Sequence, residues 1–142
     1  MAEAVFMHLV KQAGLAEQIS ADSAGTGSWH AGEPPHRGTQ NILRKYHIDY
    51  QHTARVIRAS DFDTFDYIVA MDSQNLADLR ALARTPAHQA KLALMLDYAT
   101  DVPVRDVPDP YYNGRFEEVY DLVNRGSRGL LDTIIAKHQL AH

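Results

Sequence analysis

The amino-acid sequence predicts an α/β protein built on a doubly wound parallel sheet with helices on both faces. Two observations carry that expectation. Three segments of strand length, two of them continuous apolar runs, alternate with amphipathic stripes of helical period in the order α-β-α-β-α-β-α, and such alternation builds parallel sheets. Polar residues also stand where open sheets bind ligands, beyond the carboxyl ends of the strands. Ser23 closes the first expected strand, Asp72 follows the second, and Asp109 lies downstream of the third. One feature departs from the pattern. A doubly wound domain normally begins with a strand, whereas this sequence begins with a helix, so the usual first, central strand is expected to be absent.

Met1–Ala13 places Met1, Val5, Phe6, Leu9, Val10 and Ala13 on one helical stripe. Gly14 is suited to end it as a left-handed cap. No Ser, Thr, Asp or Asn precedes its first turn, so its N-terminal amides have no side-chain partner. Gln18–Ala24 reads as a short strand, followed by a Gly-rich loop that holds Trp29, the only tryptophan. His36–Tyr46 reads as a second helix, with Thr39, Ile42, Leu43 and Tyr46 on one face. Asp49–Ile57 reads as extended or irregular, and Ser60 is placed to cap a short helical turn.

Tyr67–Met71 is a continuous apolar run suited to a strand buried on both faces. Asp72 and Ser73 can cap the helix Gln74–Arg84 that follows. Leu92–Leu96 reads as the third strand. A loop then leads to a last helix over Phe116–His138, in which Gly126 and Gly129 each cost about 1 kcal/mol of helix propensity.

The 142 residues suit one domain, spanning 1–142, with a real core. A formal charge of −4 and the lack of any Lys/Arg cluster argue against nucleic acid as the main partner. No apolar run approaches the roughly 18 residues of a membrane span, and no signal-peptide pattern is present, so a soluble cytoplasmic protein is expected. Cysteine is absent from the 142 residues, which excludes disulfides, thiolate metal sites and a cysteine nucleophile within them. No metal or other cofactor is expected.

The densest chemistry lies in Val107-Pro108-Asp109-Pro110-Tyr111-Tyr112-Asn113-Gly114. Each proline fixes its own φ, and Pro110 pushes Asp109 towards extended backbone. A carboxyl stiffened in this way beside two aromatic rings suits a general acid acting on an aromatic leaving group. A Pro-rich turn whose Asp caps something local accounts for the same residues. Trp29, likewise, can simply pack on the edge of the core.

Met1-Ala2-Glu3-Ala4-Val5-Phe6, Ser23, Gly27-Ser28-Trp29-His30, the run Phe65–Asp72 and Asp109-Pro110-Tyr111-Tyr112 together resemble the low-molecular-weight protein tyrosine phosphatases. The similarity extends over essentially the whole chain. It implies that Asp109 is the general acid, that Trp29, Tyr111 and Tyr112 flank the substrate ring, and that Ser23 and His52 belong to a hydrogen-bonded network supporting the phosphate loop. It also matches Asp72 to an acid of the family, although capping of the next helix explains Asp72 equally well. The implied substrate is a phosphotyrosine-containing protein or an aryl phosphate.

Family members carry a strand and a Cys-x5-Arg-Ser loop ahead of the helix that opens at Met1. Neither that cysteine nor its arginine has a counterpart here, since Arg37, Arg55, Arg58 and Arg115 sit in other motifs. The resemblance therefore implies an N-terminally truncated domain that lacks the first central strand and the nucleophile. Such a chain is expected to be inactive and to self-associate through its exposed sheet. The alternatives are a catalytically dead phosphotyrosine- or protein-binding module and, among enzymes, a protein-arginine phosphatase. Arsenate reductase chemistry needs further cysteines.

Overall fold

The computed structural model describes residues 1–25, 37–48, 55–99, 102, 104–108 and 116–140. The elements run α1 (Ala2–Gln12), α2 (Arg37–Lys45), α3 (Asp61–Thr64), β1 (Ile68–Ala70), α4 (Ser73–Leu82), α5 (Pro86–Gln89), β2 (Leu92–Leu94), a 3₁₀ turn (Met95–Tyr98) and α6 (Phe116–His138). None of these helices is long and apolar enough to cross a membrane.

The two strands pair in parallel, Ile68 opposite Leu92 and Ala70 opposite Leu94. Parallel neighbours need a crossover, and α4 and α5 supply it. Asp72 starts α4 as expected: its Oδ1 accepts from the Asn75 amide at 2.7 Å. The short α5 was not anticipated, although its start carries both a cap and a helix-opening proline. Thr85 Oγ1 accepts the His88 amide at 3.1 Å, and Pro86 occupies the first turn.

Three apolar clusters form the core. Ala4 and Val5 of α1 share one with Val119, Leu122 and Val123 of α6. Further along both helices, Phe6, Leu9 and Val10 share a second with Leu130, Leu131 and Ile134. Helices α1 and α6 therefore lie side by side and run in the same sense. The third cluster, around Phe62, Ile68, Leu76 and Leu94, lies between α3, α4 and the strand pair. Gly14 ends α1 with φ of 75°, the left-handed cap that only glycine adopts freely. The first turn of α1 has no side-chain cap, as expected.

Gly126 and Gly129 do not interrupt α6. They let the 3₁₀ turn lie against it: a Cβ on Gly129 would overlap the Tyr98 carbonyl oxygen, and one on Gly126 would crowd Met95. The propensity cost of the two glycines is set against that close packing.

Two expected strands are corrected. Gln18–Ala24 forms no ladder: the Gln18 and Ile19 amides fold back onto the Leu15 carbonyl, and residues 19–24 make no β-bridge among the described residues. Pairing begins only at Gly25, in an isolated parallel bridge to Val56. The described sheet thus has two strands, where three were expected. The third expected strand stops at Leu94 because Asp97 Oδ2 accepts the Leu94 amide at 3.1 Å and turns the chain into the 3₁₀ segment. Ser60 precedes α3 but makes no side-chain cap; Asp61 Oδ2 takes the Arg58 amide at 2.8 Å instead.

Candidate active site

The carboxyl end of β1 receives residues 106 and 107, which precede Asp109 in the sequence. Met71, the first residue after β1, accepts the Val107 amide on its carbonyl at 2.9 Å. Val107 itself is buried in the cluster that joins α1 and α6. One residue earlier, Asp106 Oδ1 accepts from the Ser73 amide at 3.0 Å and from the Ser73 hydroxyl at 2.7 Å. Helix α4 thus carries two carboxylates on its first turn, Asp72 from its own cap and Asp106 from the incoming loop. Both sit where the amide dipoles favour negative charge. A backbone bond, a buried side chain and a carboxylate oxygen that accepts twice fix the chain at residues 106 and 107.

A second set of contacts gathers behind Ser23. The Arg55 guanidinium donates to Asp22 at 3.0 Å and grips Asp61 through two nitrogens, at 2.9 and 3.2 Å. Burial of the Asp61 carboxyl favours its neutral form, but the hydrogen bonds from Arg55 and from the Arg58 amide outweigh that and hold its pKa below the ordinary value. Arg55 in turn is pushed up, chiefly by its bond to Asp61. The arginine staples the strand-like segment around Gly25 to α3. It is committed to that structural pairing, consistent with its exclusion as a phosphate ligand.

Of the residues singled out in the sequence, Ser23 and Asp72 are described. Ser23 is exposed and neighbours Asp22, which the Arg55 staple holds. Asp72 caps α4 at the end of β1. Trp29, His52, Asp109, Tyr111 and Tyr112 lie outside the described residues. Sequence reasoning missed Asp106 and Asp61, took Ser73 only as a helix cap and set Arg55 aside as part of another motif. Only Asp106 had a signal, as an acid closely preceding the Pro-Asp-Pro motif. Among the described residues, no group of three or more His, Asp or Glu side chains is arranged to hold a metal.

The model of the family "Low molecular weight phosphotyrosine protein phosphatase" matches residues 1–140. The chain belongs to that family. Among curated relatives, this phosphatase chain is 48% identical to the low molecular weight protein-tyrosine-phosphatase YfkJ of Bacillus subtilis (strain 168), over 99% of its own length and 90% of the relative's. It is 44% identical to the low molecular weight protein-tyrosine-phosphatase of Streptomyces coelicolor, over 94% and 84%. The crystal structure of YfkJ superposes with a TM-score of 0.92 at 46% identity, covering 98% of this chain and 87% of that one. The crystal structure of a Drosophila arginine phosphatase superposes with a TM-score of 0.83 at 36% identity, covering 94% and 87%. The phosphatase family thus fits the α/β architecture with its small parallel sheet.

Proposed function

We propose that this low molecular weight phosphatase chain acts in the hydrolysis of phosphotyrosine in proteins, with Asp109 as the general acid. The observation that supports this most directly is the anchoring of Asp106 and Val107, two to three residues before Asp109 in the sequence, at the carboxyl end of β1, the end where open parallel sheets bind ligands. In this reading the Asp109 carboxyl gives its proton to the phenolic oxygen as the P–O bond breaks and the phosphoryl group passes to a thiolate. The resulting carboxylate then takes a proton from the water that cleaves the phosphoenzyme. Trp29, Tyr111 and Tyr112 flank the phenyl ring, and Ser23, His52 and Asp72 support the phosphate-binding elements.

The thiolate is not among these 142 residues, which contain no cysteine. We therefore assign the Cys-x5-Arg-Ser loop, and the strand that carries it, to residues beyond this stretch of chain. Among the described residues β1 has one strand partner, β2, and its other edge suits such a strand. By themselves the 142 residues form one inactive domain, with a cytoplasmic setting, that self-associates through the β1 edge. They need no cofactor.

Two other readings each have one observation in favour. The missing thiolate suits a module that binds phosphotyrosine without cleaving it. The likeness to the Drosophila arginine phosphatase suits a phosphoarginine substrate, but the Tyr111/Tyr112 pair favours a phenyl leaving group over a guanidinium. Turnover of phenyl phosphate, with Asp109 present or replaced, tests the proposal once the family's strand and loop are joined ahead of Met1.

A further inference from the structure

A pair of tyrosines at the contact of α2 and α6 has no part in the phosphatase chemistry. Leu43 of α2 shares a core cluster with Val119 and Leu122 of α6, and that packing holds the two helices together. Tyr46, just past the end of α2, meets Tyr120, near the start of α6. Their rings stack with centroids 3.9 Å apart and planes 7° from parallel, so carbons of one ring lie about a van der Waals contact from those of the other. Both side chains pack on the core cluster and stay partly exposed. Glu117 stands beside the pair: it bonds Lys45 and accepts the Tyr46 hydroxyl at 2.8 Å. The hydrogen bonds from Lys45 and then Tyr46 hold the Glu117 carboxyl below its ordinary pKa, which keeps it a carboxylate at neutral pH. Among the described residues no other two tyrosines stack; Tyr67 lies edge-on to His138 instead.

We propose that Tyr46 and Tyr120 form a site of oxidative cross-linking, where a one-electron oxidant joins the two rings as dityrosine and Glu117 accepts the Tyr46 proton. An oxidised phenol is a strong acid, and a carboxylate already bonded to its hydroxyl takes the proton without moving heavy atoms. Each ring gives one electron to the oxidant and loses its phenolic proton, that of Tyr46 to Glu117 and that of Tyr120 to water. The two phenoxyl radicals then form one C–C bond between ring carbons ortho to their oxygens. The two ortho hydrogens move to the oxygens through solvent as the rings regain aromaticity. In all, two electrons pass to two equivalents of the oxidant and two protons pass to solvent. The product ties α2 to α6 and closes a loop between residues 46 and 120, which removes freedom from the unfolded chain.

Cysteine is absent from the 142-residue chain, so no thiol competes for the oxidant. The chain is oxidised with photogenerated tris(bipyridine)ruthenium(III) as an equal mixture of ordinary and isotopically heavy protein, then digested for mass spectrometry. The expected product is a peptide pair joined through Tyr46 and Tyr120, short of two hydrogens, with both halves ordinary or both heavy. Tyr46→Phe and Tyr120→Phe keep a ring in the stack but remove one phenol. Each should lower intrachain dityrosine by roughly tenfold, because proximity no longer assists the coupling. Glu117→Gln should slow the coupling severalfold, Tyr67→Phe should leave it as it was, and unfolding in urea should abolish the link between 46 and 120. The site is overturned by an absence of dityrosine, by mixed ordinary–heavy pairs alone, or by links confined to Tyr50, Tyr67, Tyr98, Tyr111 or Tyr112. It is equally overturned by an unchanged yield in either phenylalanine variant or in urea, and an unchanged rate in Glu117→Gln would overturn the carboxylate's part. None of these outcomes depends on turnover, so they stand apart from the phosphatase assignment.

Discussion

Ser73 and Asp106 share a single carboxylate oxygen: the Ser73 amide and hydroxyl both donate to Asp106 Oδ1, at 3.0 and 2.7 Å. The pair links the first turn of α4 to the loop that runs into Asp109. Ser73→Ala removes the hydroxyl bond and keeps the amide bond, a loss of about 0.5–1.5 kcal/mol for one hydrogen bond. Urea unfolding should show that modest cost. In a form that turns over, kcat should fall by roughly tenfold through misplacement of the acid. A full loss of activity, or none, would mean that the contact does not position the loop.

The Arg55–Asp61 pair makes stability depend on pH on the acid side. The Asp61 pKa is lower in the folded chain than its ordinary value of 3.8, so on acidification the unfolded chain takes up this proton first. The contribution is therefore complete above about 3.8 and is lost as pH falls through the lower folded value. Arg55→Ala should cost about 2–4 kcal/mol at pH 7, towards the lower side for a broken buried pair, since the Arg55 side chain is 23% exposed. It should also flatten the acid-side decline, measured as unfolding free energy from pH 3 to pH 7.

Gly129→Ala sets propensity against packing. Alanine gains about 1 kcal/mol in a helix interior, but its Cβ would overlap the Tyr98 carbonyl oxygen, and overpacking against backbone costs about 1–3 kcal/mol. The variant should be less stable than the parent in thermal unfolding. A stabilised variant would mean that the 3₁₀ turn yields freely.

Gly38 sets a second close approach inside a helix, since a Cβ there would overlap the Phe116 ring of α6. Gly38→Ala should lower stability in thermal unfolding when Phe116 is present and should not lower it when Phe116 is alanine.

Local chemistry was legible in the sequence. The stripe from Phe116 to His138 gives α6 its observed bounds, the Asp72 cap starts α4, and Gly14 ends α1 in the left-handed region. These depend on residues within a turn or two of one another. The expected strand at Gln18–Ala24 was not recoverable in the same way, because a strand is defined by its neighbour and residues 19–24 form no backbone pairing among the described residues. Leu92–Leu96 was read too long because the turn is made by Asp97, an acid acting on backbone three residues upstream. The longer-range contacts were hidden for a related reason. Ser73 with Asp106, Arg55 with Asp61 and Gly38 with Phe116 join residues whose pairing depends on the completed fold.

Asp109 as general acid is the central claim, and leaving-group chemistry tests it most sharply. Phenyl phosphate expels a basic phenolate, so its cleavage needs the proton that Asp109 would give. With the family's strand and Cys-x5-Arg-Ser loop joined ahead of Met1, kcat for phenyl phosphate should fall by about 10²–10⁴ in Asp109→Ala, while the 142 residues alone give no turnover. An unchanged kcat in Asp109→Ala would contradict the account.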